Sequence, residues 1–244
     1  MLTRLPLFPL GGVLFPGLVL PLHIFEPRYR SLVESLMELP DGAPREFGIV
    51  AIRSGHEVGE QHPPDLHPVG CTAVLREVTP YDDGRYDIVA VGRTRFRLGS
   101  VDRSADTPYL TGDVRLLPEP DAEPDDDEDV ERERARVVRL FLRYRELVGG
   151  RTIAMPASDL DSDGLDTEPD EGEAAMPDEP SVVSYLVAAA TTLDVPTRQS
   201  LLEAPTTAAR LRAERRLLRR EIGLITTLHV LPDLHHGSRP INPN

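Results

Sequence analysis

Residues 5–37 read LPLFPLGGVLFPGLVLPLHIFEPRYRSLVESLM, a mostly apolar run that becomes charged toward its end. Prolines at positions 6, 9, 16 and 21 interrupt the apolar part. A secretory signal has an unbroken apolar centre, and a membrane span needs about 20 consecutive apolar residues. The stretch fits neither, so we expect a soluble, cytoplasmic protein that does not enter a membrane.

The same stretch is typical of two short strands followed by a helix. Residues 5–8 and 18–23 are predicted as strands, separated by a Pro-Gly turn signal. Pro21 falls inside the second strand, which should therefore lie at a sheet edge or contain a bulge, because proline donates no ladder hydrogen bond. Pro27 fits the first turn of a helix, where its missing N–H has no intrahelical partner to lose.

Strand patterns continue as far as residue 117, with apolar residues recurring at a period of two. Asp83-Gly84 is a hairpin turn signal within them. Many short strands with Gly and Pro turns, together with one early helix, indicate a small mixed β-barrel or a curled sheet. The further strands are expected within residues 46–52, 70–78, 81–101 and 109–117.

Helical patterns take over in the second half of the chain, and we therefore predict an α+β protein. A mixed β-barrel with one early helix should be followed by a C-terminal helical bundle. Helices are expected at residues 130–148, 181–193, 196–203 and 206–229. The predicted units are a β-rich subdomain (1–118), an acidic connection (119–133), a helical subdomain (134–231) and a tail (232–244). Residues 155–180 form an acidic insert within the helical subdomain and are predicted to be disordered.

The composition excludes several chemistries. The chain has 244 residues and a net charge of −14, and all 27 of its basic residues are arginine. Without lysine there is no P-loop lysine, no Schiff base and no Ser–Lys dyad. The single cysteine, Cys71, excludes an intramolecular disulfide and a multi-thiolate zinc site. No catalytic set emerges from the other residues, so we expect a protein that is not an enzyme.

Two stretches imitate metal sites. Residues 159–170 place aspartates where a calcium loop has them, but Asp166 stands at a normally apolar position and Pro169 lies inside the loop. The other stretch offers nitrogen and sulfur ligands for zinc, yet their spacing matches no compact zinc motif. Its members are His56, His62, His67 and Cys71. We predict no metal and no cofactor.

Two groups of residues are candidates for contact with a polypeptide. The first flanks the Pro-Gly turn and is predicted either to leave an apolar rim partly exposed or to pack into the core. It comprises Val13, Leu14, Phe15 and Leu18. The second group is Phe25 and Tyr29, in the motif HIFEPRY, which either bind a partner or pin the corner between strand and helix.

Three segments resemble the N-terminal, substrate-binding domain of Lon proteases. The first combines LPLFPL, VLFPG and LPLHIFEPRY within residues 5–29. The second is GRYDIVAVGRTRFRL (84–98), which is similar to the central hairpin of that family. The third is RQSLLEAPTTAARLRAERRLLRREI (198–222), similar to its helical closing segment. The resemblance implies a barrel of the pseudouridine-synthase-and-archaeosine-transglycosylase-like (PUA-like) type plus a helical bundle.

The resemblance also implies a function. We expect a stand-alone, non-catalytic recognition domain, without the ATPase and peptidase domains, that binds exposed or unfolded polypeptide segments as an adaptor or quality-control factor. Because PUA-like folds include RNA binders, Arg93, Arg95 and Arg97 on one strand support the alternative of an RNA-binding module. The acidic charge of the chain does not favour a nucleic-acid partner. A small-ligand-binding protein is the remaining alternative.

Overall fold

A computed structural model describes residues 2–40, 42–54, 65–102, 107–119, 127–149 and 176–230. Within these residues the chain forms seven strands followed by four helices, with one further helix between the second and third strands. The strands are β1 (Thr3–Leu10), β2 (Val19–Ile24), β3 (Glu46–Ser54), β4 (Asp65–Leu66), β5 (Val69–Pro80), β6 (Tyr86–Asp102) and β7 (Thr111–Leu117). The helices are α1 (Pro27–Met37), α2 (Asp127–Val148), α3 (Pro180–Ala190), α4 (Val195–Leu202) and α5 (Thr207–Val230).

The strand pairings form a closed circuit. β1 pairs with β7 on one side and, in parallel, with β3 on the other, and the order β1-β7-β6-β5-β3 joins the two ends. Each strand of the circuit therefore has two neighbours within it. The predicted α+β class is confirmed, whereas the PUA-like type, the bundle and the subdomain boundaries stay predictions.

The predicted hairpin joins β5 to β6. The N–H of Tyr81 donates to the carbonyl oxygen of Arg85 at 2.9 Å. Gly84 has a φ of 79°, a conformation that L-residues with a side chain adopt at a cost. The Asp-Gly signal therefore identified the turn correctly.

The second strand lies at an edge, as its proline predicted. β2 pairs antiparallel with β6, with Pro21 opposite Val89, and within the described residues it pairs with no other strand. The N–H of Gly92 donates to the carbonyl of Leu18 at 2.9 Å, which makes these two residues a hydrogen-bonded pair. Hydrogen-bonded and non-hydrogen-bonded pairs alternate along an antiparallel ladder. Pro21, three positions after Leu18, therefore lies in a non-hydrogen-bonded pair, and its backbone groups face the open edge of β2.

The helices have a core of their own. α2, α3 and α5 pack together around buried apolar side chains, with Phe141 and Leu211 completely buried. On α5, apolar residues at helical spacing are buried at Leu218 and Ile222 and partly buried at Ile225. This is the buried stripe expected of an amphipathic helix.

A separate apolar cluster joins the strands to the helices, and it overturns the predicted rim at Leu14 and Phe15. Phe15 has no exposed surface and packs with Val69 of β5 and with Leu201 and Leu202 of α4. Leu14 is also buried, at 5% exposure, within the core under α1. The rim prediction was wrong here because a turn is exposed only where no other element covers it.

Close backbone approach fixes this turn against β6. The N–H of Gly17 donates to the carbonyl of Gly92 at 2.9 Å. A Cβ atom built on Gly92 would lie 2.3 Å from the carbonyl oxygen of Phe15. A side chain at position 92 would therefore push the turn away from the sheet.

Several predicted segments lie outside the described residues. They include the imitation of a calcium loop at residues 159–170, most of the acidic insert, His56, His62 and the tail. The predictions for these segments stay predictions.

Candidate functional site

The second candidate group, Phe25 and Tyr29, lines an open apolar cavity. The cavity has a volume of about 270 Å³ and lies where β1, β2 and the start of α1 meet. The side chain of Phe25 is 53% exposed, whereas Tyr29 is 5% exposed. Its lining residues are Phe8, Leu10, Leu22, His23, Ile24, Phe25, Glu26 and Tyr29.

The base of this aromatic cavity is rigid. The rings of Phe8 and Tyr29 stack with centroids 4.1 Å apart, and Phe8 also contacts Phe47 at 6.3 Å. All three side chains are buried. Because buried aromatic side chains in mutual contact have little freedom to change rotamer, the base is formed before any ligand arrives.

The backbone at the corner also sets the position of Phe25. Pro27 occupies the first turn of α1, and the carbonyl of Glu26 accepts from the N–H groups of Tyr29 and Arg30 at 3.1 and 3.0 Å. The carboxylate of Glu26 makes an ion pair with Arg28 at 2.9 Å. Glu26 is the N-cap residue of α1, although its side chain makes no capping bond.

A polar network borders the cavity. Nδ1 of His23 lies 2.6 Å from a carboxylate oxygen of Asp87, and the hydroxyl of Tyr81 donates to the same carboxylate. These two hydrogen bonds, Tyr81 first, lower the pKa of Asp87 below its ordinary value. The ring of His23 stacks on Phe25 with centroids 6.3 Å apart. The network therefore holds one side of the exposed aromatic ring.

The first candidate group does not join this site as a unit. Leu18 is partly buried against the core that also contains Phe8 and Tyr29, whereas Val13 is partly buried against the cluster around Phe15. Phe15 itself lies between the strands and the helices. Of the residues predicted to contact a polypeptide, Phe25 is therefore exposed, whereas the others are buried or partly buried.

Cys71, a member of the stretch that imitates a zinc site, is unsuited to metal binding. Its side chain is buried, and burial raises the pKa of the thiol to about 12. Metal binding requires the thiolate. In the described ranges, no three or more His, Cys, Asp or Glu side chains are grouped so that they could hold a metal ion.

The three arginines predicted to share one strand face are divided by the fold. Arg93 and Arg97 are exposed, whereas Arg95 is 3% exposed. Nη1 of Arg95 donates to the carbonyls of Leu202 and Ala204, at 3.0 and 2.6 Å. Arg95 therefore binds the C-terminal end of α4 instead of facing solvent, and the RNA-binding surface inferred from the three arginines is not formed.

Sequence reasoning missed a polar cluster around Glu119, which follows the last strand. Its carboxylate pairs with Arg95 at 2.9 Å and with Arg210 of α5 at 3.1 Å, and the hydroxyl of Tyr185 donates to it. Burial alone raises the pKa of Glu119, but Arg210, Tyr185 and Arg95 together lower it below its ordinary value. Glu119 thereby ties β6 to α3 and α5.

These features define a class of protein: a closed strand circuit with one early helix, joined to a helical closing segment and carrying an open aromatic cavity. The chain belongs to the family of the ATP-dependent protease La (LON) substrate-binding domain, whose family model matches residues 4–220. The resemblance seen in the sequence is thereby confirmed.

Among curated proteins, the chain is similar to Lon protease 2 of Syntrophobacter fumaroxidans, with 29% identity over 211 residues. That match covers 85% of this chain but 23% of the relative. Lon protease of Desulfosudis oleivorans is 28% identical over 106 residues, which are 43% of this chain and 12% of the relative. The chain thus spans about a quarter or less of the length of these relatives.

Solved structures show the same fold. The Lon N-terminal domain protein from Xanthomonas campestris superposes with a TM-score of 0.56 at 23% identity, covering 89% of this chain and 98% of that one. The N-terminal domain of Mycobacterium avium complex Lon protease gives a TM-score of 0.60 at 16% identity, covering 91% and 98%. Among the described residues, no helix of this chain is both long and apolar enough to cross a membrane.

Proposed function

We propose that this chain is a non-catalytic recognition domain that binds exposed apolar side chains of unfolded polypeptides in the aromatic cavity. The observation that carries the proposal is Phe25, a 53% exposed aromatic ring beside an apolar cavity whose base is rigid. Exposed aromatic anchors next to a pocket tend to dominate contact energy. The family description, a substrate-binding domain of a protease, supports a polypeptide as the ligand.

The open edge of β2 supports the same ligand. β2 contributes Leu22, His23 and Ile24 to the cavity, and within the described residues its other edge is unpaired. An extended polypeptide can add to such an edge through backbone hydrogen bonds while one of its side chains enters a neighbouring pocket. Unfolded chains offer both the free backbone and the apolar side chains that this mode needs.

In this role the domain selects polypeptides and leaves their cleavage to a Lon-type protease. As an adaptor or quality-control factor it would discriminate by exposure of apolar surface, which folded proteins bury. The exposed ring of Phe25 would make this distinction, because its weak contact with one apolar side chain of the ligand requires no defined sequence.

Binding to a reduced and carboxymethylated, permanently unfolded polypeptide tests the proposal. Phe25→Ser should weaken binding about tenfold, equivalent to about 1.4 kcal/mol, and leave the thermal midpoint nearly unchanged. Leu224→Ser is the matched control, because Leu224 is 52% exposed on α5. Equal binding by the wild type and Phe25→Ser, or equal weakening in both variants, would show that the aromatic cavity does not recognise polypeptides.

A further inference from the structure

A groove between α2 and α5 concentrates positive charge. It has a volume of about 290 Å³ and is lined by four arginines around one apolar side chain, Leu140. Three of the arginines follow one face of α2, at spacings of three and four residues, and the fourth comes from α5. They are Arg136, Arg139, Arg143 and Arg219, and all four are exposed.

Most of these charges lack a carboxylate partner in the described part of the chain. Arg136 pairs with Glu133 at 2.7 Å. Arg139 donates to the carbonyl of Ala135, a contact within its own helix. For Arg139, Arg143 and Arg219, no described carboxylate oxygen lies within the 4.0 Å that defines an ion pair. Like charges on one helix face repel one another, so a bound anion would stabilise the arrangement.

The groove also opposes the charge of the whole protein, which is −14. A cationic groove on an acidic protein attracts anions locally. We propose that the groove between α2 and α5 binds an acidic segment of a partner polypeptide.

The lining favours a polypeptide over a nucleic acid. None of the five lining residues is aromatic, so bases would find no stacking surface. A nucleic acid carries a charge at every phosphate and extends well beyond the groove, where the net negative charge of the protein repels it. An acidic peptide presents isolated carboxylates that match the arginine fork, and an apolar residue between them can cover Leu140.

The dimensions agree with a short extended segment. Arg136 and Arg143 are seven positions apart on α2, which corresponds to about 10 Å at the helical rise. An extended chain covers that length in about three residues. Carboxylates at alternate positions of the segment would therefore reach successive arginines, with the side chain between them turned to the other face.

Fluorescence anisotropy with the full chain tests the groove. The probe is a short labelled peptide of alternating glutamate and leucine, and the control probe has glutamine in place of glutamate. The wild type should bind the acidic probe, and affinity should fall steeply with added salt because the contacts are ionic. The double variant Arg139→Gln with Arg143→Gln should weaken binding about tenfold or more and leave the thermal midpoint unchanged or slightly higher.

A charge-matched variant separates the groove from the overall charge. Arg93→Gln with Arg97→Gln removes the same two charges from exposed positions on β6 and should leave binding unchanged. The assignment is overturned if this variant weakens binding equally, if the acidic probe does not bind at low salt, or if single-stranded RNA of equal charge binds the groove more tightly. The groove and the aromatic cavity share no lining residue, so a failure of either proposal leaves the other standing.

Discussion

Phe15, beside the first tight turn, and Tyr185, on α3, face each other with ring centroids 6.0 Å apart. Both side chains are buried, at 0% and 4% exposure. They are separated by most of the chain, so their contact joins the N-terminal strands to the helices. Removing either ring should therefore loosen the connection between the two parts as well as the local packing.

Phe15→Ala should lower the free energy of unfolding by about 3–5 kcal/mol, the usual cost of removing a fully buried phenylalanine. The measurement is urea denaturation followed by circular dichroism. Phe25→Ala is the matched control, since Phe25 is 53% exposed, and it should change stability by less than about 1 kcal/mol. Similar losses in the two variants would contradict the assignment of Phe15 to the core.

Glu119→Gln should destabilise the protein by about 3 kcal/mol at neutral pH, because the buried Arg95 and Arg210 lose their shared carboxylate. The pKa of Glu119 is lowered from 4.5 in the folded state. Its contribution is therefore present above pH 4.5 and is lost as the pH falls through the folded pKa. Urea titrations of both proteins should converge in acid; a difference that stays constant with pH would exclude an ionic role.

Glu214→Gln should have the opposite effect. Glu214 is 1% exposed, and neither of its carboxylate oxygens has a hydrogen-bond partner among the described residues. Burial raises its pKa well above 4.5, with Arg210 opposing the shift only in part. Below pH 4.5 Glu214 is protonated in both the folded and the unfolded state, and the protein has its full stability. Above pH 4.5 the unfolded chain ionises Glu214 first, so the free energy of unfolding falls by about 1.4 kcal/mol per pH unit until the pH reaches the folded pKa. The variant should match the wild type near pH 4 and exceed it at pH 7.

Thermal or urea melts across that pH range check the expectation for Glu214. A variant less stable than the wild type at pH 7 would show that the carboxylate is charged and stabilising in the folded protein. Glu221→Gln serves as the control, because Glu221 is a partly exposed glutamate on the same helix.

Cys71 should not react with iodoacetamide in the folded protein. Burial raises the pKa of its thiol to about 12 and also blocks access, whereas alkylation needs an accessible thiolate. Mass spectrometry should find the thiol unmodified in buffer and fully modified in denaturant. Rapid modification without denaturant would mean that β5 opens readily.

Local patterns in the sequence were sufficient for most strands and helices and for some of their relationships, but they missed β4 and the first turn of α2. Pro21 predicted an edge strand and Asp83-Gly84 predicted a hairpin, because both effects act within a few residues of backbone. Leu211 and Leu218 stand seven positions apart on α5, and this helical spacing places both on its buried face. Glu214 lies on the same helical face, three positions after Leu211 and four before Leu218. That position was the available signal in the sequence that its carboxylate is buried.

Tertiary structure alone decided which apolar and charged side chains are available for contact. Phe15 precedes the Pro-Gly turn and Phe25 precedes the start of α1, yet Phe15 is buried in a cluster that includes α4 residues whereas Phe25 is exposed. Arg93 and Arg95 belong to one strand, yet only Arg95 meets Glu119 and the end of α4. Exposure and ion pairing depend on which distant segment arrives at a residue, and periodicity along the chain carries no information about that segment. The sequence by itself determined most of the strands and helices and the family, and the packing of helices on strands determined the site.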